Sequence, residues 1–207
     1  MQDVWDKRYQ ETEHLYGAEP NVFIQEINQR YPISGHTLAI AEGEGRNILY
    51  IARSAQKKHL PIDVEMWDYS RVALENAQSY AQTQGIELKT CCVDLAHVSW
   101  PENEYDNILC VFGHFDSDTR LKTLQGIRQA LKNGGYFIGE VYSKTQLNYQ
   151  TGGPGKFDFL YDPQEILQVF HKDHLVHFFV GDVERYEGKL HHGKSHVIQF
   201  MIRIVKT

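Results

Sequence analysis

No stretch of this chain approaches the ~18 consecutive apolar residues that a membrane span needs. Its first residues, Met1-Gln2-Asp3-Val4-Trp5-Asp6, lack the basic and then apolar run of a signal peptide. The expectation is a cytoplasmic protein with no membrane partner. Basic charge is also in short supply. Lys and Arg number 21 against 27 Asp and Glu, a net charge of −6. A general nucleic-acid binder needs a basic face, so no nucleic-acid partner is expected. Cysteine is scarce, and the three present cannot all pair with one another. Cys91, Cys92 and Cys110 all lie in apolar, strand-like runs and read as buried thiols of a reducing compartment. There is no internal repeat, low-complexity segment or linker.

The 207 residues suit one domain, with 42% apolar and 23% charged residues, ordinary values for a globular chain. Strand-like runs alternate with helix-like ones, which implies a largely parallel sheet covered on both faces. An N-terminal helical cap segment, 1–35, carries helices near Val4–Glu11 and Asn21–Tyr31, the second with Asn21 as its cap. Strands follow at Thr37–Ala41, Ile62–Trp67, Ile86–Val93, Asp106–Phe112 and Tyr136–Tyr142. Between them the spacing predicts helices over about Asn47–Ser54, from the Ser70 cap onward, and over Asp118–Asn133. In the last of these Leu121, Leu124, Ile127 and Leu131 share a face and Asn133-Gly134-Gly135 marks the end. A long polar loop, Ser143–Tyr161, precedes the helix start Asp162-Pro163-Gln164-Glu165. Strands near Leu175–Glu184 and His196–Lys206 close the chain. The fold class is α/β, a doubly wound Rossmann-like sheet of about seven strands, mostly parallel with the last antiparallel.

Ligands of such sheets bind beyond the carboxyl ends of the strands. Here those ends carry Glu42, Asp68, Asp94 and His114. The turn Glu42-Gly43-Glu44-Gly45 follows the first strand, and its glycines let backbone approach a ligand closely. Asp68 lies 23 residues after Gly45, close to the spacing at which dinucleotide folds place an acid for the ribose hydroxyls. A tight structural connection is the plainer reading of the turn alone, but the order strand, glycine turn, helix, strand, acid favours a nucleotide. A pyrophosphate is disfavoured beside Glu42, Glu44, Asp68 and Asp94. The third glycine of G-x-G-x-x-G is also missing, because Ile48 occupies its place. A cationic adenosine derivative without phosphate fits better, and S-adenosyl-L-methionine is one.

The ordered set Trp5-Asp6-Lys7-Arg8-Tyr9, Tyr16-Gly17-Ala18-Glu19-Pro20-Asn21, Ala41-Glu42-Gly43-Glu44-Gly45-Arg46-Asn47, Asp68-Tyr69-Ser70, Asp94-Leu95, Leu131-Lys132-Asn133-Gly134-Gly135-Tyr136 and Thr151-Gly152-Gly153-Pro154 resembles the class I S-adenosylmethionine-dependent methyltransferases. Within them it is most similar to the tellurite-resistance and thiopurine methyltransferase branch. The resemblance spans nearly the whole chain. It implies that Glu42, Gly43, Glu44, Gly45 and Asn47 cradle the methionine part of the cofactor. Asp68 would hold the ribose, with Tyr69 and Ser70 beside it. Asp94 and Leu95 would meet the adenine, and Val111, Phe112 and Gly113 would line the methionine end. Tyr16 and Gly17 would cover the cofactor. The chain departs from the family pattern where Ala39 replaces an acid and Ala41 the first glycine.

The implied activity is methyl transfer to a small-molecule acceptor, including soft S, Se or Te nucleophiles, with S-adenosyl-L-homocysteine as product. The alternatives are a cofactor-binding regulatory domain without catalysis and an NAD-type oxidoreductase. His114 stands where the acceptor belongs and is the catalytic candidate, with an ordinary pKa near ~6.5 if unperturbed; a structural bond to a loop carbonyl is the competing reading. Arg46 heads a helix, a poor place for a cation, which points to a partner among Glu42, Glu44 or the carboxylate of cofactor or substrate; a surface ion pair is the competing reading. Glu140 and Tyr142 could frame the acceptor, although a solvated strand end is the plainer reading of Glu140. Trp5, Tyr9, Tyr16 and Phe23 are read as lid or core, with Tyr16 favoured as lid and Phe23 as core. His171, His174, His177, His191, His192 and His196 read as scattered surface histidines, with no metal. A monomer or homodimer is expected.

Overall fold

The computed structural model describes residues 2–12, 14–149, 151–187 and 191–206. Its centre is one seven-stranded sheet: β1 (Gly35–Ile40), β2 (Ile62–Asp68), β3 (Leu88–Cys92), β4 (Tyr105–Val111), β5 (Leu131–Tyr142), β6 (His174–Glu187) and β7 (His191–Arg203). The strand order is β3-β2-β1-β4-β5-β7-β6. Pairing is parallel from β3 to β5, and β7 runs antiparallel to both β5 and β6. The doubly wound expectation therefore holds. The order reverses between β1 and β4, the switch point at whose carboxyl edge sheets of this kind form their ligand crevice.

Among the described residues six α-helices cover the faces: α1 (Gln2–Glu11), α2 (Val22–Arg30), α3 (Arg46–Lys57), α4 (Arg71–Thr83), α5 (Ser117–Ala130) and α6 (Pro163–Val169). Their starts follow local chemistry. Asn21 accepts from the Ile24 N–H, Ser70 from Ala73, and Asp162 forms a capping box with Glu165. One apolar layer joins α2, α3 and α4 to the sheet through Phe23, Ile24, Ile48, Ile51 and Leu74. The opposite layer holds α5 and α6 through Leu124, Ile127, Ile166 and Phe170. Phe23 is core, as its spacing implied.

Four expectations are corrected. Helix α5 ends at Ala130, and Leu131 already pairs with Tyr105 in extended backbone. Asn133-Gly134-Gly135 falls in the irregular stretch between that pairing and Tyr136, where Gly134 has φ +84°. Leu121, placed by periodicity on the buried face, is 49% exposed. Cys91 and Cys92 are exposed, because β3 is an edge strand, and only Cys110 is buried. The last strand pair is longer than expected: β6 reaches Glu187 and β7 begins at His191, so their pairing continues beyond Val197, where β7 stops pairing with β5.

Gly139 marks the closest approach within the sheet. A Cβ there would lie 2.2 Å from the Cys110 carbonyl oxygen and 2.7 Å from the Phe200 ring. Backbone cannot yield as a side chain can, so Gly139→Ala should lower stability by about 2–3 kcal/mol. Urea unfolding of the variant measures it, and an unchanged midpoint would contradict the packing described.

Candidate active site

The crevice begins with a strained turn. Ala41 leaves β1 at φ +50° and Phe112 leaves β4 at φ +52°, so the two strands flanking the switch point both end in left-handed backbone. Such residues cost about 1–2 kcal/mol each and concentrate at functional sites. Ala41 thus stands in a backbone region that favours glycine. Gly43 (φ +63°) and Gly45 (φ +81°) continue the turn. A Cβ on Gly43 would lie 2.5 Å from the Tyr9 hydroxyl, so Tyr9 of α1 lies directly against the turn.

Glu42 does not reach into the crevice as a free group. Its Oε1 accepts from the N–H groups of Asn47 (2.7 Å) and Ile48 (3.1 Å), and its Oε2 from Asn47 Nδ2 (3.1 Å). Helix α3 starts at Gly45, which has no side chain to cap it, and Glu42 supplies the missing anion. Burial raises the Glu42 pKa while these bonds oppose the rise. Glu44 is also engaged: it accepts from the backbone of His14 (3.4 Å) and Leu15 (3.0 Å) and from Asn76 Nδ2 (3.1 Å). The two acidic residues of the turn thus hold α3 and the N-terminal segment in place.

Asp68 ends β2 facing the same turn. Its Oδ2 accepts from Gly43 N–H (2.9 Å) and its Oδ1 from Ser70 N–H (2.8 Å). Burial raises its pKa. The Tyr69 N–H, like the other two, favours its charged form, and a carboxylate, with about four lone-pair sites, still has capacity to accept from a hydroxyl. Ser70 is fully buried, and its hydroxyl donates to Asp6 Oδ1 (2.5 Å), which docks α1 on α4. Tyr69 is half-buried beside it. Asp94 is exposed, accepting from Ala96 N–H and pairing with His97 at 3.1 Å, while Leu95 is buried in the core behind it. Tyr16 is half-buried against Tyr9, with ring centroids 6.5 Å apart, and Gly17 closes the preceding turn onto the His14 carbonyl. Asp68 thus bonds the turn, and Tyr9 lies against both the turn and Tyr16. These residues fit an adenosine ligand: the glycine cradle would be filled by a Cβ, and the acid beside it has acceptor capacity left.

On the other side of the switch point, Val111 is buried and Gly113 has no room for a Cβ, which would lie 2.7 Å from Cys110 Sγ. Tyr142 is fully buried. Its ring stacks on Phe112 (4.6 Å) and on His114 (5.5 Å, 11°), and Gly153 of the long loop lies against it. That loop contains two short 3₁₀ turns, Lys144–Asn148 and Phe157–Phe159. His114 Nδ1 lies 3.3 Å from the Phe159 carbonyl, which accepts its proton, and Nε2 is buried without a partner. Burial lowers the His114 pKa to about 4, so the ring is neutral at pH 7. This replaces the near-neutral pKa expected of it.

Glu140 is the clearest reversal, because it is fully buried and not a solvated strand end. It forms a bidentate ion pair with Arg185 and accepts from Gln199 and Asn21. Arg46 does have a partner, but it is Glu187 at 2.6 Å, neither Glu42 nor Glu44. Sequence reasoning missed Asp6, Arg185, Glu187 and Gln199, and it read Asn21 only as a cap. The position of Arg46 at a helix start was the one signal of this buried network. Among the described residues no group of three or more His, Cys, Asp or Glu side chains is placed to hold a metal ion, and no helix is long and apolar enough to cross a membrane. The side chains of His191 and His192 lie outside the described ones.

His114 gives a pH signature. Its folded pKa lies below its unfolded value, so it is neutral in both states above pH ~6.5 and costs nothing there. As pH falls from ~6.5 toward 4 the unfolded chain takes the proton first and stability is lost. Relative to His114→Gln, the native protein should lose about 1–3 kcal/mol between pH 7 and pH 4.5 in urea unfolding. Parallel pH profiles would contradict the buried neutral ring.

Comparison with known proteins agrees with this geometry. Residues 38–135 match the family described as methyltransferase domain. No curated protein matches the chain. Among solved structures, one from work on the conversion of a disulfide bond into a thioacetal group during echinomycin biosynthesis is similar with a TM-score of 0.78 and 14% identity. The match covers 99% of this chain and 92% of that one. TehB from Haemophilus influenzae has a TM-score of 0.68 at 15% identity, over 98% of this chain and 66% of its own. An S-adenosylmethionine-dependent methyltransferase from Clostridium acetobutylicum has 0.61 at 16%, over 99% and 97%. Residues 38–135 thus match a methyltransferase domain, and the chain as a whole shares its fold with solved S-adenosylmethionine-dependent methyltransferases.

Proposed function

We propose that this protein transfers a methyl group from S-adenosyl-L-methionine to a small-molecule acceptor. The observation that carries the reading is Asp68, an acid at the end of β2 tied to the Gly43 N–H at the switch point. When bound, the cofactor supplies a methyl group activated on a sulfonium. Asp68 holds its ribose through its remaining acceptor capacity, with Tyr69 and Ser70 beside it. Asp94 and Leu95 flank the adenine. Gly43 and Gly45 leave room for the methionine part, with Glu42, Glu44 and Asn47 holding the turn rigid. Val111, Phe112 and Gly113 form the wall toward β4. Tyr16 and Gly17 close the site from the N-terminal segment and exclude water.

His114, Glu140 and Tyr142 lie on the acceptor side. Neutral His114 offers Nε2 as a hydrogen-bond acceptor, which orients an N–H, O–H or S–H nucleophile and receives little of its proton. Soft S, Se or Te nucleophiles suit a site with so weak a base. The net charge of −6 supports a small molecule over a nucleic acid. A cofactor-binding domain without turnover is the second reading, favoured by the closed Phe112–Tyr142–His114 stack.

Release of S-adenosylhomocysteine in the presence of small thiol acceptors separates the two readings. His114→Gln should lower turnover and leave cofactor affinity within about twofold. Asp68→Asn should weaken cofactor binding by about 1.5–3 kcal/mol, since charge-assisted bonds to the ribose are lost. Calorimetry measures it, and an unchanged dissociation constant would remove Asp68 from the cofactor site.

A further inference from the structure

We propose that Asn21 is a positioning residue that joins the glycine turn to the acceptor-side strands, so that the two halves of the site close as one unit. The inference rests on the reading of the turn as the cofactor site. Asn21 is fully buried and all its polar groups are used. Its backbone N–H donates to Asn47 Oδ1 (2.8 Å), and its side-chain oxygen accepts from Ile24 N–H (3.2 Å). Its amide nitrogen donates one hydrogen to Glu140 Oε1 (3.0 Å) and the other to Glu187 Oε1 (2.9 Å). Asn47 in turn donates to Glu42, whose other oxygen holds the start of α3. One chain of hydrogen bonds thus runs from the glycine turn to β5 and to the tip of the β6–β7 hairpin.

Capping alone does not require asparagine, because Asp and Ser cap helices about as well. The two carboxylates do require it. Only a neutral group with two hydrogens satisfies both, and a third carboxylate would be repelled. The charged groups around Asn21 are Glu42 from the turn after β1, Arg46 from α3, Glu140 from β5, Arg185 and Glu187 from β6, and Glu26 of α2, which acts on Arg185. Strand β7 contributes only the neutral Gln199. Arg185 and Arg46 are already paired with Glu140 and Glu187, so neither cation is free to neutralise a third anion. A turn fixed by bound cofactor therefore fixes the hairpin through Asn21, and by linkage the hairpin fixes the turn.

The test compares S-adenosylhomocysteine affinity by calorimetry from pH 5.5 to pH 9, with hydrogen exchange of residues 181–187, in the full chain. Asn21→Asp keeps the cap and the volume. Its binding should fall at least tenfold relative to the native protein as pH rises across this range, with hairpin protection lost in parallel. Asn21→Ser keeps the cap without the bridge, so binding should weaken about equally at every pH with the same loss of protection. Adding Glu187→Gln to Asn21→Asp exchanges donor and acceptor and should recover part of the loss at high pH. A residue acting only as a cap predicts native affinity and protection for both single variants at every pH, and that result would overturn the proposal. Should Asn21→Asp not fold, Asn21→Ser decides by the same two readouts. If the native protein does not bind S-adenosylhomocysteine, the functional reading fails instead, and the exchange contrast without ligand still decides the role of Asn21.

Discussion

The carboxylate of Glu42 is the interaction on which the functional edge of the sheet depends. Helix α3 begins on a glycine, so nothing at its own start satisfies its first N–H groups. Glu42 turns back from the end of β1 and accepts from two of them and from the Asn47 side chain. A buried carboxylate is costly alone, as its raised pKa records, but three donors and the helix dipole offset that cost. With Glu42 in place the glycine turn has one conformation. Asp68 can then bond Gly43, Glu44 can hold the 14–15 backbone, and Asn47 can receive Asn21.

The two sides of the switch point are built differently. The side beyond β1 and β2 is a set of backbone N–H groups and carboxylates, with burial raising the pKa of Glu42 and Asp68. The side beyond β4 and β5 is aromatic, with Tyr142 between Phe112 and His114, and with a neutral imidazole whose Nε2 is buried without a partner. On the proposed function, the first environment suits a sulfonium and the second a neutral nucleophile. Between them lies the ion-pair network of Arg46, Glu187, Arg185 and Glu140. Removing one partner of such a buried network leaves an uncompensated charge, which gives it a single geometry.

Local chemistry made much of this legible in the sequence. The caps Asn21, Ser70 and Asp162 were readable because a cap bonds two or three residues onward. The strand-end acids were readable because alternation of strand and helix fixes which ends share an edge. Partners distant in sequence were not readable. Arg46 at a helix start announced a missing anion, but Glu187 lies on a strand whose length the pattern underestimated. Glu140 looked solvated because nothing near it in the chain reveals Arg185 or Gln199. Cys91 and Cys92 looked buried because apolar composition does not show that a strand stands at an edge. His114 was readable in position, but its pKa depends on the long loop that encloses it.

Cofactor choice is the central claim, and titration calorimetry with S-adenosylmethionine and with NAD tests it most directly. The acidic turn and Ile48 in place of a third glycine predict one-to-one binding of S-adenosylmethionine and no measurable heat with NAD. Comparable affinity for NAD, or binding of NAD alone, would contradict the account.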